Sequence, residues 1–251
     1  MNAFPTTKVL RLRPGLNLNV REAGQGEAVL VLHGASGPDS IDTLLDHLSV
    51  GHRVLAPTHP GWGGTQRPDE LSSVTDLAAT YLDLFDQLAV TRATVIGPSF
   101  GGWVAAEMAV TDRAHRIERL VLIDAIGPRI PGHRLTMPGP PPPSAVPAPA
   151  EAAPRGPWPA ALAALRAYGG EALQDPTLLG RFGDVLTPTL LIWGENDPVV
   201  SAGFGRAYAD AVPNARFALI PDAGHLPIRE APDETFAAID AFLADETLTK
   251  D

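Results

Sequence analysis

Residues 93–110, ATVIGPSFGGWVAAEMAV, leave this chain few folds to choose from. They open on a short apolar run, 93–96, in which Thr94, Val95 and Ile96 are β-branched, as suits a buried strand. Gly97-Pro98-Ser99-Phe100-Gly101 follows. The remainder is apolar on nearly all sides with a single charge, Glu107, which fits a helix buried inside a larger protein. A strand that turns at once into a helix must fold back sharply, and glycines at 97 and 101 remove the Cβ atoms that would collide there. The turn is expected to put Ser99 at the strand's carboxyl end, its side chain exposed and a helix N-terminus beneath it. The plainer alternative is a glycine-rich turn that happens to carry a surface serine. The rest of the chain decides between them.

Two segments, 8–13 (KVLRLR) and 16–21 (LNLNVR), alternate apolar and polar residues on either side of Pro14-Gly15, the pattern of a hairpin of half-buried strands. Residues 28–32 (AVLVL) are continuously apolar, as expected of a strand covered on both faces, and run into His33-Gly34-Ala35-Ser36-Gly37-Pro38. Ile41, Leu44, Leu45 and Leu48 then fall at helical spacing. A strand at 53–56 leads to a second turn-rich loop containing His59, and a helix over 74–88 is opened by a Ser73/Asp76 capping box. The strand 117–123 ends at Asp124. After residue 188, the strand 189–193 (TLLIW) enters Gly194-Glu195-Asn196-Asp197-Pro198. A helix with Phe204, Ala207, Tyr208, Ala211 and Val212 on one face comes next. It is followed by the strand 216–220, the loop Pro221-Asp222-Ala223-Gly224-His225, and a last helix starting at Pro232. This alternation predicts an α/β protein, a mostly parallel central sheet with helices on both faces and an antiparallel hairpin at one edge. Ligands bind such sheets at the carboxyl ends of the strands. All of the glycine-rich and charged loops just described fall at those ends.

Gly-x-Ser-x-Gly between a strand and a helix is the nucleophile elbow, and on these residues and loops the chain resembles the α/β-hydrolase fold superfamily over nearly its whole length. The resemblance implies a triad in the chain order serine, acid, histidine. Ser99, Asp197 and His225 stand in that order, each just past a strand. A serine hydroxyl needs a base to take its proton and a third group to orient that base. Ser99 is then the nucleophile and His225 the base, with Asp197 accepting the other ring N–H. Asp124, at the end of the strand after the elbow, is the alternative acid; otherwise it caps a turn or accepts a hydrogen bond. Asp197 in turn precedes Pro198 and has the plainer use of starting a turn. The oxyanion hole is read as the backbone N–H groups of Phe100 and Ala35, with Ser36 as fallback, and His33 and His59 are read as structural. Serine at the elbow, where epoxide hydrolases and haloalkane dehalogenases of this fold carry aspartate, excludes those two chemistries.

A chain of 251 residues, 45% hydrophobic, has room for one large core, assigned to residues 1–126 and 189–251. Residues 127–188 form a reduced cap or lid insertion. Its stretch 138–149 (PGPPPPSAVPAP) favours an extended polyproline conformation, short helices are expected near 159–168 and 176–182, and Trp158, Leu162, Leu165 and Tyr168 are candidate pocket lining. The absence of cysteine removes thiol catalysis, disulfides and thiolate metal sites. A formal charge of −10 argues against nucleic acid or an anionic membrane as partner. No window has the apolar length of a membrane span and the N-terminal segment lacks a signal peptide's apolar core, so a cytoplasmic location is expected. No cofactor is required, and histidines 47, 52, 115 and 133 lack ligand spacing, so no metal site is read. No oligomeric state is read from the sequence. The leading expectation is a serine hydrolase that cleaves small or medium apolar carboxylic esters through an acyl-enzyme. The alternatives are a carbon–carbon bond hydrolase of the meta-cleavage type, whose Gly-Pro-bearing loop residues 33–38 resemble with one extra residue, a perhydrolase or lyase, and a binding protein that retains the triad.

Overall fold

A computed structural model describes residues 6–137 and 159–248. The hairpin forms from β1 (Thr6–Arg13) and β2 (Leu16–Ala23), turning at Gly15 with φ +84°. Then follow β3 (Ala28–Val31), α1 (Asp42–Leu48), β4 (Arg53–Pro57) and α2 (Val74–Gln87). The elbow lies between β5 (Ala93–Pro98) and α3 (Phe100–Thr111). Next come β6 (Ile117–Ile123), a two-residue β7 (Gly127–Pro128), α4 (Pro159–Gly169), its counterpart β8 (Gln174–Asp175) and α5 (Leu178–Arg181). The chain continues through β9 (Thr189–Gly194), α6 (Ala202–Ala211), β10 (Ala215–Ile220), α7 (Pro227–Glu230) and α8 (Pro232–Leu243).

Eight strands make one sheet in the order β1-β2-β4-β3-β5-β6-β9-β10. The pairs β1–β2 and β2–β4 are antiparallel and the others parallel. The order reverses between β3 and β5, because the chain leaves β3 for β4 on one side and returns to β5 on the other. That reversal opens a crevice at the strands' carboxyl ends.

The parallel strands inside the sheet are buried on both faces, unlike the edge strand β10, so alternate residues enter different cores. Val29, Val31, Ile96, Val121, Ile123 and Ile192 pack with α1 and α8. Leu30, Val95, Leu122, Leu191 and Trp193 pack with α2, α3 and α6. Each fully buried aliphatic or aromatic side chain of this kind contributes about 1.5–3 kcal/mol. At the start of α2, Ser73 Oγ accepts the Asp76 N–H (3.1 Å), and the Asp76 carboxylate accepts in return from the Ser73 hydroxyl (2.8 Å) and from the Ser72 N–H (3.0 Å) rather than from the Ser73 N–H.

The described part of 127–188 is bound into the main core: Leu165, Tyr168, Leu173, Leu178 and Phe182 join the cluster that holds α2 and α3. Glu107, the lone charge of the otherwise apolar α3, is 1% exposed. It is paired in bidentate fashion with Arg181 at 2.6 and 2.7 Å and accepts a hydrogen bond from Thr75. Arg181 also reaches Asp175 at 2.6 Å, so this network fastens β8 and α5 to the helix behind the elbow. The polyproline reading of 138–149 lies outside the described residues. No helix among the described residues is long and apolar enough to cross a membrane.

Candidate active site

The elbow forms because two backbones meet where side chains would not fit. A Cβ at 97 would run into the Gly101 carbonyl, and one at 101 into the Leu32 carbonyl on the neighbouring strand. The conformational strain itself falls on Ser99, at φ +53° and ψ −119°, a region non-glycine residues seldom occupy. The Ser99 N–H bonds to the Ile123 carbonyl (2.8 Å) and its carbonyl takes the N–H groups of Gly102 and Trp103, which fixes the residue against β6 and the first turn of α3. Ser99 is not exposed, as the sequence alone suggested, but 7% accessible. The reason is tertiary: the loop after β10 lies over it.

That loop brings His225 to the serine. His225 Nε2 is 2.9 Å from Ser99 Oγ, and Nδ1 is 2.8 Å from Asp197 Oδ2. The other oxygen of Asp197 accepts the N–H groups of Val199 (2.7 Å) and Val200 (3.1 Å), so the turn that Pro198 starts is also what orients the carboxylate. The loops after β9 and β10 are laced together through Glu195 N–H to Ile220 O and Asn196 N–H to Ala223 O. Glu230 of α7 accepts the N–H groups of Gly224 (2.7 Å) and Leu226 (3.2 Å), the residues on either side of His225. Sequence reasoning missed Glu230; its position five residues after the histidine is the only trace it leaves there.

Asp124 lies beneath the triad. It is wholly buried, and its Oδ1 accepts the Gly194 N–H at 2.9 Å. Asp124, Asp197 and His225 each offer an oxygen or ring nitrogen within 4.8 Å of the others'. The Asp197 and His225 atoms are already committed to one another, to two amides and to the serine. Burial, and then the charge of Asp197, push the Asp124 carboxyl well above the usual carboxylate range.

The loop after β3 presses on the elbow from the other side. A Cβ at Gly34 would sit 3.3 Å from Ser99 Cβ, so the His33-Gly34-Ala35 backbone runs alongside the serine. Phe100 opens α3, and its N–H belongs to the first-turn donors that have no partner within a helix. The loop is held by two buried imidazoles. His33 Nδ1–H donates to the Gly34 carbonyl (2.8 Å), and His33 Nε2 accepts the His59 N–H (3.0 Å). His59 Nε2–H donates to the His33 carbonyl (2.8 Å), and the Tyr81 hydroxyl donates to His59 Nδ1. These contacts assign one tautomer to each ring. Burial lowers the pKa of His33 to about 4, and burial with the neighbouring His33 lowers that of His59 well below its ordinary value.

Of the candidate lining residues, Trp158 lies outside the described residues and Leu162 is half-buried against the main cluster. Leu165 and Tyr168 are buried. Tyr168 donates its hydroxyl proton to the Pro60 carbonyl (3.0 Å) and stacks on Trp62, which stacks on Phe100.

The model of the alpha/beta hydrolase family matches residues 29–239. The chain is similar to a 2-hydroxy-6-oxo-2,4-heptadienoate hydrolase of Pseudomonas putida, 35% identical over 122 residues, which is 46% of this chain. It covers 44% of that relative's length. Among solved structures it is similar to a thermophilic esterase from Thermogutta terrifontis (TM-score 0.75, 23% identity, 99% of this chain and 100% of that one). It is also similar to the meta-cleavage product hydrolase CumD of Pseudomonas fluorescens (TM-score 0.70, 21% identity, 94% and 97%). At those identities the two structures speak for the fold alone. The family match spans most of the chain, which therefore belongs to the α/β-hydrolase family.

Proposed function

We propose that this α/β hydrolase is a serine hydrolase that cleaves carboxylic esters through an acyl-enzyme at Ser99. The observation that carries the reading is the unbroken line of short contacts from Ser99 Oγ through His225 to Asp197. Ser99 Oγ attacks the ester carbonyl carbon while His225 Nε2 takes the hydroxyl proton. Asp197 keeps the other ring proton on Nδ1 and stabilises the imidazolium as it forms. The oxyanion accepts the N–H groups of Phe100 and Ala35, donors that are fixed before the reaction begins. Collapse of the adduct breaks the bond to the leaving oxygen, which receives the proton from His225. Water then attacks the acyl-enzyme, loses a proton to His225 and releases the acid, and Ser99 regains its hydrogen. No cofactor enters these steps.

The Pseudomonas putida relative's name favours a second use of the same residues, in which the leaving group is a stabilised carbon. A fluorophosphonate label tests the reading common to both: it should modify Ser99 and fail on Ser99→Ala. Turnover of a short-acyl aryl ester, set beside bleaching of a 2-hydroxy-6-oxo-dienoate, then assigns the bond. Absence of labelling at any pH would end the serine-hydrolase reading. Bleaching of the dienoate without ester turnover would move the assignment to the carbon–carbon bond.

A further inference from the structure

We propose that Asp124 is held as a neutral carboxylic acid whose Oδ2–H donates to the Asp197 carboxylate, making it a positioning residue for the acid of the triad. The proposal rests on the assignment of Ser99, His225 and Asp197 above. It starts from an imbalance of donors. Asp197 is furnished as an anion, with two amide N–H groups on one oxygen and the His225 Nδ1 on the other. Asp124 is furnished as an acid. One oxygen receives a single amide, and Oδ2 is buried with no donor facing it.

The groups that face Asp124 from the elements packed around it are Asp197 after β9, His225 after β10 and Glu230 on α7. No lysine or arginine pairs with it among the described residues. Two carboxylates this close and both buried do not both ionise. The single proton stays on the carboxyl with fewer donors, and the Asp197 side chain lies beside it to accept that proton's hydrogen bond. The direction of the Asp124 titration given above agrees with this.

Two consequences follow. The Oδ2–H donor restrains the Asp197 carboxylate from a third side, beyond its two amides and His225. It also withdraws charge from that carboxylate, so Asp197 pulls less strongly on the His225 Nδ1 proton. An asparagine at 124 would keep both bonds, with Oδ1 accepting from Gly194 and Nδ2–H donating to Asp197. It also tolerates the backbone there, at φ +44°.

The test has two arms on the intact protein. In the first, carbon-13 NMR of aspartate-labelled protein should show one carboxyl that remains protonated at neutral pH and disappears in Asp124→Asn. Absence of such a resonance, or its survival in that variant, overturns the proposal. In the second, the rate at which a fluorophosphonate labels Ser99 is followed against pH. Asp124→Asn should stay within about twofold of wild type with its acid limb unmoved, whereas Asp124→Ala should move that limb up by about half a pH unit or more. An Asp124→Asn variant that labels far more slowly, or whose acid limb falls to lower pH, would mean that Asp124 is ionised and would overturn the proposal. Should Asp124→Ala not fold, the asparagine comparison still decides. Wild-type protein that never labels would fail the reading of Ser99, while the NMR arm would still judge Asp124.

Discussion

Two histidine networks flank Ser99, built from the same side chain for opposite ends. On one side, His225 keeps 19% of its side chain accessible and has a carboxylate on Nδ1. On the other, His33 and His59 are fully buried, with ring centroids 3.9 Å apart and only carbonyls, an amide and a phenol for partners. An imidazole with a carboxylate on one nitrogen and water nearby is equipped to gain and lose a proton. An imidazole between neutral dipoles in a dry site is confined to one neutral tautomer. Proximity to the serine is therefore a poor guide to which histidine does chemistry; the partner on the far ring nitrogen is a better one.

The largest effect expected is on turnover. His225→Ala should lower kcat/KM by about a thousandfold or more, and Asp197→Asn by about a hundredfold or more, with little change in thermal midpoint. Steady-state kinetics beside calorimetry would check this, and loss of folding in place of activity would erase the distinction drawn between the two networks. Arg181→Ala extends the contrast to a charge that is buried and must stay paired. It strands Glu107 and should cost about 3 kcal/mol in a urea titration. A change near zero would mean that the bridge is no more than a surface contact.

Acid should find the neutral pair. His33 titrates near pH 4 in the folded chain against an ordinary 6.5, so below 6.5 the unfolded chain takes up a proton that the folded one refuses. Its contribution is whole above pH 6.5 and is lost as the pH falls toward 4, by about 3 kcal/mol. Unfolding free energies of wild type and His33→Gln, compared across that window, should converge toward the acid side; parallel curves would show that His33 is not held neutral. The smallest effect belongs to Tyr81→Phe, which deprives His59 Nδ1 of its donor and should cost about 1 kcal/mol while leaving ester turnover near wild type. A large loss of turnover would draw the buried pair into the chemistry and break the comparison.

Much of this was legible in the sequence for local reasons. Continuous apolar runs announced the doubly covered strands, and the glycines at 97 and 101 announced the sharp turn. Ser99, Asp197 and His225 were singled out by their loops, and the distances among them came only from coordinates. The misreadings concern faces and partners. Helical spacing puts Ala211 on the buried side of its helix, whereas it is exposed and Gly205 is buried, because the helix lies so close on the Trp193 indole that only glycine fits there. Nothing along the chain marks the Tyr81 hydroxyl as the donor to His59. Asp124 is also more than the alternative to Asp197 that the chain order offers, since the fold places both beside His225.

The sequence by itself determined the order of strands and helices, the place of the elbow and the family, because backbone sterics and hydrophobic periodicity act over a few residues at a time. Tertiary structure alone decided that Ser99 is covered, which imidazoles are kept neutral and which of two neighbouring carboxyls faces the histidine. Those outcomes depend on desolvation and on hydrogen-bond partners some 20 to 130 positions apart, which no local pattern encodes.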